Sequence, residues 1–239
     1  MLKMFILSLV ALSVAGIAKA GNTCNSAINA VPVIFPGPAG PPGPPGVKGD
    51  PGTQPGGAVY TRWGRTTCPA GATLVYGGYA ASTGSTIDGG TSDTLCMPQT
   101  PQYLSTDTTA TYTDQLNSVE YETFGTSSTP FNNVQEHNMP CAVCHTDTKE
   151  VVLTIPAQHS CPAGWNNEFF GYLMTEYALS GRSRRDTICV DANAEAVPGS
   201  EANTSPAFIY LMRASCAVTG LPCPPYNDQM VLPCAVCTK

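Results

Sequence analysis

The sequence predicts a mainly β, disulfide-rich globular part that follows a short segment with glycine at every third position. The 239-residue chain contains eleven cysteines, and several of them recur at one fixed offset. Charged residues make up only 12% of the chain, about half the usual share, so its polar surface must come mainly from Ser, Thr, Asn, Gln and Gly. Segments rich in β-branched and aromatic residues lie between turn-forming residues, which is typical of strands.

Residues 1–20 are typical of a secretory signal peptide. A lysine near the start precedes an apolar run over 4–17, and small residues at 18 and 20 form a cleavage pattern. The run is short for a membrane span, so a retained membrane anchor is the less favoured alternative. We expect a secreted protein that begins at Gly21, with no membrane span after cleavage.

Residues 37–54 carry six glycine triplets. The glycines are Gly37, Gly40, Gly43, Gly46, Gly49 and Gly52. Only glycine fits at the axis of three wound chains, so this spacing predicts a collagen-type triple helix. The candidates for hydroxylation are the Y-position residues Pro42, Pro45, Lys48 and Pro51. The alternative is a stiff polyproline II linker on a monomer.

Eighteen residues would give a rod of only about 50 Å, which is marginal alone because ordering three free chains is costly. Tethering the chains at both ends raises their effective concentration. The globular part supplies one tether. Cys24, in the N-terminal segment 21–36, is the odd cysteine, and we propose that it links chains within or between trimers. A buried or capped thiol is the alternative.

The globular part consists of two similar units. "CPAGATLVYGGY" from Cys68 aligns with "CPAGWNNEFFGY" from Cys161 at an offset of 93 residues, and three further cysteines obey the same offset: Cys96 falls on Cys189, Cys141 on Cys234, and Cys144 on Cys237. A gapless register of four cysteines predicts a tandem repeat. The predicted bounds are 55–67 for a junction, 68–144 for the first unit, 145–160 for a connector and 161–239 for the second unit.

The segments 73–80, 150–157 and 207–216 have strand-like composition, and 82–93 and 193–203 have loop-like composition. The segment 114–125 fits either a short helix or a strand. We therefore expect a mainly β domain with minor helix.

Each unit spans 77 residues from its first to its last cysteine, and units of this size usually need covalent support. A disulfide that closes a loop this long removes about 4–5 kcal/mol of unfolded-chain entropy. Zinc is the competing interpretation of the two CxxC motifs, at 141–144 and 234–237. An oxidising compartment and a partner for nearly every cysteine favour disulfides, and we expect no metal or cofactor.

"CPAGW" followed by "FFGYLM", and the terminal "CAVCTK" after a glycine-triplet region, resemble the non-collagenous C-terminal domain of type IV collagen. The chain resembles the invertebrate short-chain, spongin-like collagens more closely than type IV collagen, and "VYTRWGRTTCP" (59–69) is typical of their junction. The resemblance covers residues 36–239. It implies a duplicated, disulfide-rich β domain that is grouped with C-type-lectin-like folds.

The resemblance also implies which cysteines pair. The implied disulfides are Cys68–Cys144, Cys96–Cys141, Cys161–Cys237, Cys189–Cys234 and the short-range Cys216–Cys223. The first unit has no equivalent of that last pair, and both units are shorter than the type IV halves. The type IV hexamer is therefore not carried over to this chain.

No catalytic constellation stands out, so we predict that the protein is not an enzyme. The histidines His137, His145 and His159 lack a nucleophile partner, and we expect them at the surface. A net charge of −6 argues against nucleic-acid binding. The arginine-rich run 181–186 fits a solvated loop better than a polyanion site.

Two further features accompany these. Arg62 and Arg65 flank Trp63 and could stack on its ring. Asn203 heads the only glycosylation sequon.

The sequence thus predicts a secreted, short-chain collagen-like structural protein of the extracellular matrix. It would trimerise with itself or with related chains and bind other matrix proteins. The alternative is a soluble, collagenous, lectin-like recognition protein that binds glycans through three heads.

Overall fold

The computed structural model describes residues 37, 39–49, 56–86, 89–104, 115–125, 130–204, 207–218 and 220–239. The chain divides into two compact units, Met1–Pro51 and Gly52–Lys239. Several predicted features lie outside the described residues: the signal peptide, the segment 21–36 with Cys24, Pro51 and Gly52.

In the first unit, Gly37 and residues 39–49 form neither helix nor strand and are exposed. Pro42, Pro45 and Lys48 are among these exposed residues. Their assembly into a triple helix stays a prediction.

The second unit is mainly β and disulfide-rich, which confirms the coarse fold prediction. Its strands are β1 (Ala58–Trp63), β2 (Thr73–Thr83), β3 (Leu95–Pro98), β4 (Leu116–Tyr121), β5 (Pro140–Thr146), β6 (Val152–Pro156), β7 (Asn166–Thr175), β8 (Ile188–Asp191), β9 (Ala207–Leu211) and β10 (Pro233–Thr238). One 3₁₀ helix, Pro130–Asn133, is the only helix among the described residues. The undecided segment 114–125 contains strand β4.

The strands recur at the offset of the cysteines. The first half of the unit comprises β1 to β5, and the second half comprises β6 to β10. Shifted by 93 residues, β3 coincides with β8, and β2 and β5 match β7 and β10 to within one residue. Strands β1 and β6 also correspond. Each precedes the first cysteine of its half, so the repeated element begins before the bounds taken from the cysteines.

The sheet places the two halves head to tail. The second half contributes the order β6-β10-β7-β8, and the first half continues with β1-β5-β2, to which β3 is added on β2. A parallel pairing of Trp63 with Val190 joins β1 to β8. Strands β4 and β9 also pair in parallel with each other. Strand β4 pairs in addition with β2, and β9 pairs in addition with β7. Among the described strands, β6 pairs only with β10 and β3 only with β2.

Two apolar clusters hold the halves together. The larger contains Tyr121, Phe131, Met174, Val190 and Ile209, with Trp63 packed against it. The smaller contains Tyr60, Phe169 and Leu173 beside buried disulfide sulfurs. Both clusters combine side chains from the two halves, so neither half buries its core alone.

Glycine is required at two equivalent positions. A side chain at Gly78 would clash with the Met97 carbonyl, and one at Gly171 would clash with the Val190 carbonyl. The strand that follows in each half therefore lies directly against the glycine backbone.

Candidate assembly surface

Five disulfides brace the second unit: Cys68–Cys144, Cys96–Cys141, Cys161–Cys237, Cys189–Cys234 and Cys216–Cys223. They are the five pairs that the resemblance implies. The sequence separations are 76 and 45 residues in both halves, and 7 residues for the additional pair.

The geometry of a strand explains why each CxxC motif serves two disulfides. Side chains alternate along a strand, so Cys141 and Cys144 of β5 point to opposite faces. One reaches Cys96 on β3 and the other reaches Cys68 before β2. Five disulfides are typical of a protein that folds in an oxidising compartment.

The internal interface, where β1 of the first half meets β7 and β8 of the second, contains a nearly buried ion pair. Arg62 Nη2 lies 2.7 Å and Nε lies 2.8 Å from the same carboxylate oxygen of Asp191. The Arg62 guanidinium also lies over the Phe169 ring, 5.8 Å from its centroid. Arg62 therefore stacks on Phe169 rather than on Trp63, whereas Arg65 pairs with Glu195 at 3.1 Å.

Tyr60 forms the apolar centre of the internal interface. Its ring stacks on Phe169 with 6.4 Å between centroids, and its hydroxyl donates to Glu168 Oε2 at 2.7 Å. Burial, and then the neighbouring Glu168 carboxylate, raise the pKa of Tyr60. The phenol therefore stays protonated and keeps its hydrogen bond.

A second buried polar cluster joins the ends of β2 and β7. Glu176 accepts a hydrogen bond from the Ser85 hydroxyl and lies 3.6 Å from Arg185 Nη2. Arg185 also donates to the Thr83 carbonyl at 3.1 Å. Burial lowers the pKa of Arg185, and the Glu176 carboxylate opposes that shift. The arginine-rich run is thus no ordinary solvated loop, because Arg185 is a core residue that ties the halves together.

Most of the other predicted residues lie at or near the surface. His159 is exposed, and His137 and His145 are partly exposed beside Glu201 and Asp147. Asn203 is exposed, and its amide donates to Glu136 Oε1 at 3.2 Å. No group of metal-binding side chains occurs within the described parts of the chain.

Large apolar side chains are exposed on the two outer strands and beside them. On β2 and β3 they are Leu74, Val75, Tyr76, Tyr79, Leu95 and Met97. On and before β6 they are Val151 and Leu153. We call these the β2–β3 face and the β6 face. Apolar residues gathered at unpaired sheet edges are typical of interaction surfaces.

Several equivalent residues of the other half are buried: Phe169, Ile188 and Val190 correspond to Tyr76, Leu95 and Met97, and Ala58 and Tyr60 correspond to Val151 and Leu153. Ile188 is 6% exposed, whereas its counterpart Leu95 is 40% exposed. Residue composition predicted strands at β2 and β6 but not at β3 or β8. It did not predict this difference in exposure either, because the two repeats resemble each other in sequence. Only the fold shows which copy is covered.

No protein-family model matches the chain. No helix in the described residues is long and apolar enough to cross a membrane.

Proposed function

We propose that the protein is a secreted, short-chain collagen-like structural protein of the extracellular matrix, whose globular part joins three chains. One observation carries this proposal. A glycine-triplet segment precedes a disulfide-braced β unit whose two outer strands expose apolar side chains. Association of three such units would bring their triplet segments together, and these segments could then wind into a triple helix.

The proposed ancestry is a duplicated domain like that of type IV collagen, related to C-type-lectin-like folds. Its support is the shared offset of strands and cysteines, together with equal disulfide separations in the two halves. The backbone conformation is also repeated directly after the first strand of each half, which is β1 or β6. Gly64 and Ala157, which are 93 residues apart, both have positive φ, and their amides donate to Pro140 and Pro233, respectively.

Energetics favour association through the globular part. Six triplets bury little surface, so free triplet peptides lose the conformational entropy of three chains for only a small gain in interaction free energy. Once three globular parts are joined, the triplets meet at a high effective concentration. The rod then adds to a trimer that the globular part has already specified, and Cys24 would lock it covalently.

The test is sedimentation analysis of the secreted protein before and after bacterial collagenase. We expect a trimer before digestion and associated globular parts after it. A synthetic peptide of residues 37–54 should show no cooperative collagen melt by circular dichroism. A monomer before digestion would refute the proposal, as would a peptide that melts cooperatively at body temperature.

A second candidate function, glycan recognition by three lectin-like heads, has one observation in its favour. A polar cavity of about 300 Å³ is lined by Arg62, Asn167, Asp191 and Asn193, with the Phe170 ring half exposed at its edge. Amides beside an aromatic ring suit a sugar. Binding of the trimer to a glycan array, lost on Phe170→Ala, would favour this function over the structural one.

A further inference from the structure

We propose that residues 182–186 are a latent cleavage site for a serine endoprotease of the secretory pathway that hydrolyses peptide bonds after paired arginines. The site is closed in the folded chain and becomes a substrate when the two halves of the second unit separate. This inference requires the secretion that residues 1–20 predict, but it does not depend on the proposed trimer.

The sequence of the site has the spacing that such a protease recognises. The run Arg182-Ser183-Arg184-Arg185 contains three of the chain's six arginines and its only pair of adjacent basic residues. Proteases of this class bind an extended substrate strand, and their acidic pockets contact arginines at the first, second and fourth positions before the cleaved bond. Hydrolysis of the Arg185–Asp186 bond consumes one water and leaves a carboxylate on Arg185 and an amino group on Asp186.

Two of these arginine side chains already have partners within the folded chain. The Arg185 side chain is only 2% exposed, and it lies 3.6 Å from the Glu176 carboxylate and donates to the Thr83 carbonyl at 3.1 Å. Arg182 lies 3.7 Å from the same carboxylate and over the Phe208 ring, 5.1 Å from its centroid. Glu176 therefore occupies both guanidinium groups that the acidic pockets of a protease would have to bind.

The peptide bond to be cleaved is also held by the fold. The Arg185 carbonyl accepts a hydrogen bond from the Thr175 hydroxyl at 2.9 Å, and the Asp186 amide donates to the Ser92 carbonyl at 2.8 Å. A protease needs the backbone of its substrate for strand pairing, and it needs the carbonyl for its own oxyanion donors. Arg184 is exposed, but its side chain alone does not make the bond accessible.

Contacts from the first half keep the site closed, although the run itself belongs to the second half. The Ser183 amide donates to the Ser85 carbonyl at 2.7 Å, and the Ser85 hydroxyl donates to Glu176. The Thr94 amide and hydroxyl donate to the Asp186 carboxylate at 3.0 and 2.7 Å. Separation of the halves removes these hydrogen bonds together, so cleavage reports whether the halves have docked.

The rate of cleavage follows the population of the open form, because the protease acts only on a chain that has opened. Chains with docked halves therefore pass through the secretory pathway intact, and chains that stay open are cut. The two pieces stay joined by Cys161–Cys237, since the cut falls between these cysteines, whereas Cys189–Cys234 lies within the C-terminal piece. A cut chain thus separates into two pieces only after reduction.

The test incubates the full-length secreted protein with a purified serine endoprotease that requires the sequence Arg-X-Arg-Arg. We expect the reduced, alkylated chain to be cut at least about a hundredfold faster than the folded chain. N-terminal sequencing that starts at Asp186 identifies the cleaved bond. In the reduced chain, Arg182→Ala should slow this cut at least about tenfold, because the arginine at the fourth position is lost.

Two variants weaken the closed form without altering the cleaved run. Glu176→Gln and the smaller change Ser85→Ala should each raise the cleavage rate of the folded protein at least about fivefold, because buried groups lose a partner. Glu201→Gln, the same change at an exposed carboxylate, is the matched control. Circular dichroism with disulfide mapping verifies that each variant folds, and Ser85→Ala serves the test if Glu176→Gln does not fold.

Three results overturn the proposal. A folded chain that is cut as fast as the reduced chain shows that closure gives no protection. A reduced chain that stays uncut between Arg185 and Asp186 shows that the run is not recognised. Folded variants that are cut no faster than Glu201→Gln show that the buried contacts do not control access, and each of these results leaves the proposed trimer intact.

Discussion

Replacing Arg62 with methionine should destabilise the globular unit by about 3 kcal/mol, although methionine keeps most of the apolar stem. The Arg62 and Asp191 side chains are 12% and 2% exposed, and two nitrogens of the guanidinium contact one carboxylate oxygen. Without Arg62, the carboxylate keeps the Asn193 amide at 2.8 Å but loses its countercharge. Breaking a buried pair costs about 3–5 kcal/mol, and the partly exposed arginine places this case at the low end.

A double-mutant cycle separates the pair from its surroundings. Asp191→Asn alone should cost about 2 kcal/mol, and the double variant about 3 kcal/mol rather than the sum, because no buried charge is left uncompensated. Urea unfolding with intact disulfides, at one fixed protein concentration, measures these values through Trp63 and Trp165 fluorescence and circular dichroism. A loss below about 1 kcal/mol for Arg62→Met, or costs that add, would refute the reasoning.

Two further predictions concern the disulfides and the buried phenol. Removing the Cys68–Cys144 disulfide by double alanine substitution should lower the free energy of unfolding by about 4–5 kcal/mol. Removing Cys216–Cys223 should lower it by about 2.5 kcal/mol, because that disulfide closes a shorter loop. Equal losses in urea unfolding would contradict this. Because its pKa is raised in the folded state, Tyr60 contributes stability that is complete below pH 10 and declines as the pH rises further. Unfolding measured between about pH 9 and pH 11 should show a shallower decline for Tyr60→Phe, and an unchanged slope would count against it.

The sequence predicts the β class because strand composition is a local property of the chain. It predicts the disulfide-rich character because the cysteines recur at a fixed offset. β-branched and aromatic residues between turn formers mark strands such as β2 and β6, and the 93-residue offset matches one cysteine set to the other. The segment containing β4 was ambiguous because its apolar residues fit either period. Its pairing with β2 and β9 shows that the segment forms a strand and not a helix.

The polar contacts between the halves could not be predicted in this way. Arg185 looks solvated in sequence because two other arginines precede it. It nevertheless donates to the Thr83 carbonyl at the end of β2 and pairs with Glu176, which directly follows β7. Arg62 and Asp191 are 129 residues apart. Such pairs depend on which edges meet, and one sequence contains no periodic signal for that.

The tether between the two halves explains why buried ions occur where they meet. The halves belong to one chain, so the internal interface forms without loss of translational freedom and can include costly buried ions such as Arg62 with Asp191. Separate chains that associate must overcome that loss. The exposed residues Tyr76 and Leu153 can be covered without any ion desolvation, so more of the free energy of an apolar contact would remain for association. Apolar outer faces are therefore the chemistry expected of a globular unit that associates as proposed.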